Sequence, residues 1–413
     1  MSDLLTLNGL LSNTHAMATM PSELKLLVNI TSAEVKGPRP ALDVALVVDR
    51  STSMMEQEKL DKVRTAANYM LQRLTPQDMI SIVDFGSDVN VLLPSQAAND
   101  PMALGASLQK LQAKGATNLH GAIQVGGQEV QKGAGGGRLQ RILLLSDGVA
   151  TEGITTDEPI LQMADQMRQG GTSISTLGVG SDYDEVLMSG ISERSGGNHY
   201  YIANPDEIAS IFAEEMDRLE AVVAKQLKLR LTVEQNFPVK LLNRRYPCQE
   251  APGQLEVSLN DMQKGKSQPV IFGLSLPALP EGDVKVATAT LTYEEAANPG
   301  TIKTAQADVV VHIVSDPGLI RTNINREVLR QWEELDAVQS VAEIVEKVEA
   351  GRMDAATAVG EIDKRGMTLV KRGSARAEDV IQIGKTIARS GGVTPEVKKS
   401  TIAYRARVQQ GQS

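Results

Sequence analysis

The hydrophobic period changes twice along the chain, and this limits the fold more than any other feature. From Ala41 to about Ala221, short apolar β-rich runs alternate with amphipathic helical stretches: ALDVALVVD (41–49), MISIVDF (79–85), VNVLLP (89–94), RILLLSD (141–147), SISTLGVG (173–180) and NHYYIA (198–203), with helical patterns at 59–74, 101–115, 119–133 and 159–170 between them. Strands alternating with helices predict a mostly parallel, doubly wound sheet covered on both faces, hence α/β. The runs at 79–94, split by GSD (86–88), predict an antiparallel hairpin at its edge. From Lys225 to Val314 the helical period is absent and strands recur at regular spacing, which predicts an all-β sandwich or barrel. The strand-like ELKLLVNITSAEV (23–35) precedes the α/β unit and is expected to pair with these later strands, making the α/β unit an insertion. Beyond Asp316–Pro317 three helical patterns follow, with Gly351, Gly373 and Gly391 as stops. The expected division is 1–40 (a segment whose strand joins the sandwich), 41–224 (α/β), 225–316 (β-sandwich) and 317–413 (helical).

Composition then removes whole classes. One cysteine in 413 residues (Cys248) excludes a disulfide scaffold and any multi-cysteine zinc site. A net charge of −9 argues against a protein that coats nucleic acid, and 3% aromatic residues argue against a stacking platform for single strands. Met1–Pro21 has no basic n-region, and Asn8, Ser12, Asn13 and His15 break its apolar residues, so it does not read as a signal peptide. No window approaches 18 uncharged apolar residues. The expectation is a cytoplasmic protein without a membrane span. From Lys364 onward eleven basic residues face three acidic ones; a solvated helical face is the simpler reading, and a dock for an acidic partner the functional one.

The chemistry concentrates where ALVV ends. Asp49-Arg50-Ser51-Thr52-Ser53 follows that strand at the C-terminal edge of a parallel sheet, where ligands bind in such folds. It offers one carboxylate and two hydroxyls, hard donors of the kind Mg²⁺ and Mn²⁺ take. Thr117, in KGATNLHG (114–121), and Asp147, closing RILLLSD, should reach the same edge from two other loops. Capping of the following helix by Ser53 is the competing explanation, but it accounts for neither aspartate.

Asp49-x-Ser51-x-Ser53, with Thr117 in GATNL and Asp147 in LLSDG, resembles the metal-ion-dependent adhesion site of von Willebrand factor A domains. The likeness covers about Leu42–Ala221; Thr52 departs from the Gly that many members carry between the two serines. The resemblance implies a Rossmann-like fold and a metal site of Asp49, Ser51, Ser53, Thr117 and Asp147. It implies Mg²⁺, with Mn²⁺ or Ca²⁺ as alternatives, held mainly by neutral hydroxyls. A cation that keeps its charge then seeks an Asp or Glu from a partner protein. The order of strand, A domain, sandwich and helices is similar to that of bacterial A-domain proteins, whose intracellular members often work with AAA+ ATPases or in complex assembly. The function implied is binding, not catalysis; the alternative is a metal-dependent hydrolase at the same site.

Other enzyme motifs fail on particular residues. Ser146-Asp147-Gly148 is no nucleophile elbow, because Leu144 stands where Gly is required. Gly265-Lys266-Ser267 and Gly384-Lys385-Thr386 have Asn260 and Asp379 where a phosphate loop needs Gly. His15, His120, His199 and His312 are scattered, Trp332 reads as core, and Asp84 and Asp88 as hairpin-turn residues. Finally, the predicted helix 206–224 runs into strand 227–233 without a spacer. Either a slide of that helix on ligand binding pulls on the sandwich, or the junction is rigid; both readings stand at this point.

Overall fold

The computed structural model describes residues 4–401, apart from 35–36, 181–182, 244–245, 395 and 399, together with Tyr404. The chain opens with β1 (Leu5–Leu11), β2 (His15–Met17) and β3 (Ser22–Ser32). The α/β unit follows: β4 (Leu42–Asp49), α1 (Lys59–Arg73), β5 (Met79–Phe85), β6 (Val89–Ala97), α2 (Pro101–Ala106), α3 (Leu119–Lys132), β7 (Leu139–Ser146), α4 (Asp157–Gln169), β8 (Thr172–Val179), α5 (Glu185–Ser195), β9 (His199–Ile202) and α6 (Ile208–Glu220). Strands return as β10 (Val222–Val233), β11 (Val239–Leu241), β12 (Cys248–Ala251), β13 (Gln254–Ser258), β14 (Met262–Gln263), β15 (Ser267–Leu276), β16 (Gly282–Glu295) and β17 (Ile302–Val314). Helices follow: α7 (Pro317–Thr322), α8 (Arg326–Glu349), α9 (Ala355–Lys371) and α10 (Ala377–Ser390).

The α/β sheet has the order β6-β5-β4-β7-β8-β9. Every pair is parallel except β5–β6, the edge hairpin. The whole of β4 is buried because both faces are covered: Leu46 and Val48 pack with Val63, Met70 and Phe212 of α1 and α6, and Ala45 and Val47 with Ala122 and Ile123 of α3. Such two-sided burial explains a continuous apolar run where a half-buried strand would alternate.

The remaining strands make two facing sheets. One has the order β1-β3-β15-β11, the other β12-β13-β10-β16-β17-β2 with β14 beside β10. Residues Leu24, Leu26, Val28 and Ile30 of β3, at period two, meet Leu229 and Leu231 of β10 and Ala289 of β16 in the space between the sheets. β3 pairs along its full length with β15, and β10 with β16, so the α/β unit is inserted between two strands of the sandwich. On the outer face, Leu27 and Ile271 are covered by Val328, Trp332 and Leu335 of α8. The helices α8, α9 and α10 bury a core of their own around Val341, Ile362 and Ile383.

Several local expectations shift. Residues 101–115 form α2 and a 3₁₀ turn at Ser107–Lys110, not one helix. The helix expected over 206–224 ends at Glu220, and Val222 and Val223 belong to β10, so a boundary at 224/225 falls inside a strand. Two adjacent β-branched residues with a sheet edge at hand favour the extended form. The apolar residues of Met1–Pro21 build β1 and β2, with β1 antiparallel to β3. Many of the basic residues after Lys364 pair internally: Arg372 with Glu333, Arg376 with Glu334, Arg365 with Glu361 and Lys398 with Glu349. Lys399, Arg405 and Arg407 lie outside the described residues.

Candidate metal centre

β4 and β7 are parallel neighbours, and their C-terminal ends bring Asp49 and Ser146–Asp147 side by side. The Ser146 hydroxyl donates to Asp49 Oδ2 at 2.5 Å, and the Ser51 N–H donates to Asp49 Oδ1 at 2.7 Å. Asp49 thereby turns the chain so that Ser51 and Ser53 face the same side, with their hydroxyl oxygens 3.0 Å apart. The Ser53 hydroxyl donates to Asp147 Oδ1 at 2.6 Å. Ser53 makes no cap: Ser51 is the residue preceding the 3₁₀ turn at Thr52–Glu58, and no side chain caps that turn.

Thr117 is 4% exposed and reaches the edge through its loop. Its N–H donates to Thr151 Oγ1, and its carbonyl accepts from the N–H groups of Thr151 and Glu152. Gly148, next to Asp147, lies so near that a Cβ there would come within 3.5 Å of Thr117 Oγ1. The Thr52 N–H and hydroxyl both donate to the Gly115 carbonyl, so the residue standing where many relatives have Gly ties the first loop to the Thr117 loop.

Sequence reasoning missed two residues here. Arg50 is 2% exposed and fans into Asp84 (Nε to Oδ1, 3.0 Å), Asp88 (Nη2 to Oδ1, 2.5 Å) and the Lys114 carbonyl (Nη1, 3.2 Å). Asp84 and Asp88 are thus more than turn residues: they hold the loop that carries the serines. The amide of Asn90 and the Arg50 guanidinium bring the Asp88 carboxyl down to about 2. Lys59 is the other. Its ammonium meets Asp147 Oδ2 at 2.6 Å, and the residue is 7% exposed. An Arg after Asp49 and a Lys at the head of the next helix look like surface charges in sequence; only the fold reveals their partners.

Burial pushes the Asp49 carboxyl up to about 6, against the hydrogen bonds from Ser146 and Ser51, and the charge of Asp147 adds to the rise. Two buried carboxylates in mutual repulsion, among three hydroxyls, form a donor set that a hard cation would relieve. Among the described residues no group of three or more His, Cys, Asp or Glu could hold a metal. The chemistry of the site therefore rests on hydroxyl oxygens supported by two aspartates, which fits Mg²⁺ or Mn²⁺ and does not fit a soft-metal centre. His120, on α3, has no part in the hydrogen bonds that join Asp49, Ser51, Ser53 and Asp147, and neither has Thr117.

Residues 43–214 match the family model of the von Willebrand factor type A domain. The uncharacterized protein YfbK of Escherichia coli (strain K12) is 31% identical over 208 residues, 50% of this chain and 36% of YfbK; the chain spans about a third of that relative. Protein sll0103 of Synechocystis is 24% identical over 308 residues, 71% of this chain and 72% of the relative. Among solved structures, a von Willebrand factor type A protein from Catenulispora acidiphila superposes with a TM-score of 0.75 at 16% identity, covering 98% of this chain and 96% of that one. The ArnB paralog VWA2 from Sulfolobus acidocaldarius gives 0.67 at 17% identity over the full length of both. At such identities the structural likeness speaks for the fold alone, and it extends through the sandwich and the helices. Among the described residues no helix is long and apolar enough to cross a membrane. The segment 43–214 of this chain is a von Willebrand factor type A domain.

Proposed function

We propose that this chain is a metal-ion-dependent protein-binding module, in which Ser51, Ser53 and Thr117 hold Mg²⁺ with Asp49 and Asp147 behind them. One observation carries the reading: the loops after β4 and β7 are hydrogen-bonded to each other, Ser51–Ser53–Asp147 on one side and Asp49–Ser146 on the other, and Thr52 ties the loop of Thr117 to the first through the Gly115 carbonyl. Bound there, the cation supplies a Lewis-acidic position for an outside carboxylate. The residues of the chain orient the hydroxyls, keep both aspartates in place and shield them from water. We place this activity inside the cell, in complex assembly, with an acidic segment of another protein as the ligand. The resemblance makes an AAA+ ATPase one partner to look for. The division into units 1–40, 41–224, 225–316 and 317–413 belongs to the same proposal, with the sandwich strand starting at Val222.

A metal-dependent hydrolase at this site would need a general base beside the metal. Both aspartates already accept two hydrogen bonds or an ion pair each, so neither stands ready for that role. Calorimetric titration of the full chain with Mg²⁺ and Mn²⁺ tests the binding reading. Asp49→Ala and Ser51→Ala are each expected to weaken metal binding at least tenfold while the fold persists, and Thr117→Ala less, since one water can replace one hydroxyl. Unchanged affinity in both of the first two variants overturns the assignment. Capture from lysate with Mg²⁺ and with EDTA in parallel then asks for the partner.

A further inference from the structure

Lys59 is the feature of this edge that a metal site does not by itself require. The backbone goes to some trouble to place it: Gln57 and Glu58, directly before it, are consecutive left-handed residues with φ of 52° and 56°, neither of them glycine. Such conformations are strained in residues with a Cβ and persist where the surroundings enforce them. They break the 3₁₀ turn at Thr52–Glu58 from α1, and Lys59 then opens α1 with its side chain buried. An ammonium at a helix N-terminus is on the wrong end of the helix dipole, which makes its placement costlier still. What it gains is Asp147, at 2.6 Å from Oδ2, on the oxygen opposite the one that accepts from Ser53.

We infer that Lys59 sets the charge of the metal centre, lowering its affinity for the cation and raising the affinity of the loaded site for a single carboxylate. The inference rests on the metal reading above. Asp49, Asp147 and Lys59 together leave one net negative charge. A divalent cation converts that to one net positive charge, and one carboxylate from outside neutralises it. Without Lys59 the loaded site would already be neutral and an external anion would gain little. The same ammonium repels the incoming metal, so its two effects have opposite signs. A purely structural brace for Asp147 would behave otherwise, because its loss would loosen the site and weaken both steps.

Full-length wild type, Lys59→Gln, Lys59→Met and Lys59→Arg distinguish these. Gln keeps a hydrogen-bond donor for Asp147, Met keeps the apolar stem, and Arg keeps the charge. Mg²⁺ affinity is read by calorimetry. Acetate, as the carboxylate probe, is titrated against Mn²⁺-loaded protein, and its replacement of metal-bound water is followed by water-proton relaxation. At this range a unit charge is expected to move each affinity by about tenfold. Lys59→Gln should therefore bind Mg²⁺ about tenfold tighter and acetate about tenfold more weakly, with Lys59→Arg near wild type in both. Lys59→Met gives the same pair of signs and serves if Lys59→Gln does not fold. Weakening of both steps in the neutral variants, or no change in either, overturns the inference and leaves the metal reading intact. If wild type binds neither Mg²⁺ nor Mn²⁺, the metal reading fails and the inference falls with it.

Discussion

At the scale of single residues, a buried charge is informative only once its partner is known, and Asp43 shows the case where there is none. It opens the buried face of β4, is 0% exposed, and neither carboxylate oxygen has a hydrogen-bond partner in the structure. Gly133, at the end of α3, closes over it so tightly that a Cβ there would come within 2.4 Å of Oδ2. Burial drives the carboxyl up to about 7, with Arg138 pulling weakly the other way. The folded-state value is thus above the unfolded one, and the folded protein holds the proton longer. Stability is then unaffected below about pH 4 and is lost progressively as pH rises from there through about 7. Each tenfold gain in proton affinity on folding is worth about 1.4 kcal/mol, so the loss approaches roughly 4 kcal/mol above that window. Asp43→Asn should accordingly raise Tm at pH 8 and change it little at pH 4. Thermal melts of both proteins across that range check this, and a gain at pH 4 equal to that at pH 8 would count against a neutral buried carboxyl. In the sequence Asp43 is one more polar residue at a strand start, and nothing in its neighbours announces that it is sealed.

At the scale of elements, the loops of the proposed metal edge depend on close approach. A Cβ on Gly86 would lie 2.6 Å from the Lys114 carbonyl oxygen and 3.1 Å from Arg50 Nη1, and the former is backbone that cannot swing away. Gly86→Ala should push the Thr117 loop off the serine loop, costing about 1–3 kcal/mol of stability and weakening Mg²⁺ binding in the same titration. Gly360 is the control: it is an exposed residue of α9 with nothing within 4 Å, so Gly360→Ala should stabilise by about 0.5–1 kcal/mol and leave Mg²⁺ binding alone. If the two variants act alike on metal affinity, the close approach at Gly86 is not what holds the loops. The elements legible in the sequence are those with a single dominant period. The predominantly apolar β4 and β7 are plain, as is the alternating β3, and with them the edge that carries Asp49, Thr117 and Asp147. α5 is not legible, because Ser189, Ser192 and Ser195 are buried on it and hide its inner face; the Ser195 hydroxyl donates to Ile191 O and accepts from Ile174 N. β1 is obscured by Asn8 and Gly9. Yet Gly9 is where the strand passes Val309, whose Cγ2 would be 2.9 Å from a Cβ. Local pattern shows where apolar residues go. It cannot show that a serine or a glycine is there to let another element come close.

At the scale of the whole molecule, the question is whether the proposed metal edge can move the sandwich. A mechanical route exists. α1 begins at Lys59, against Asp147, and ends at Arg73, which holds Asp217 at 2.7 Å and Glu220 at 2.9 Å on α6. Only Ala221 separates α6 from β10, so a slide of α6 would pull directly on the central strand of the larger sandwich sheet. Against it stand polar ties at the opposite end of the α/β unit. Arg141 meets Asp261 at 3.2 Å, Arg168 donates to the Ser258 carbonyl at 2.9 Å, and the Lys225 ammonium donates to the Gly137 carbonyl at 2.6 Å. Arg141 is 3% exposed and its partner Asp261 half-buried; breaking a fully buried ion pair by moving one partner away costs on the order of 3–5 kcal/mol, and the other two ties add to what this pair contributes. A coupling free energy between two sites is typically about 1–3 kcal/mol, too little to open these ties. The rigid junction is therefore the expected outcome, and the scattering profile of the full chain should be the same with EDTA, with Mg²⁺, and with Mg²⁺ plus acetate. A Gly-Ser spacer inserted after Ala221, where the helix actually ends, should leave both the profile and Mg²⁺ affinity unchanged as long as the ties remain. Combining the spacer with Arg141→Ala and Arg168→Ala should broaden the profile and still spare Mg²⁺ affinity. A change in the wild-type profile on adding Mg²⁺ and acetate would show instead that α6 slides and that the three ties yield.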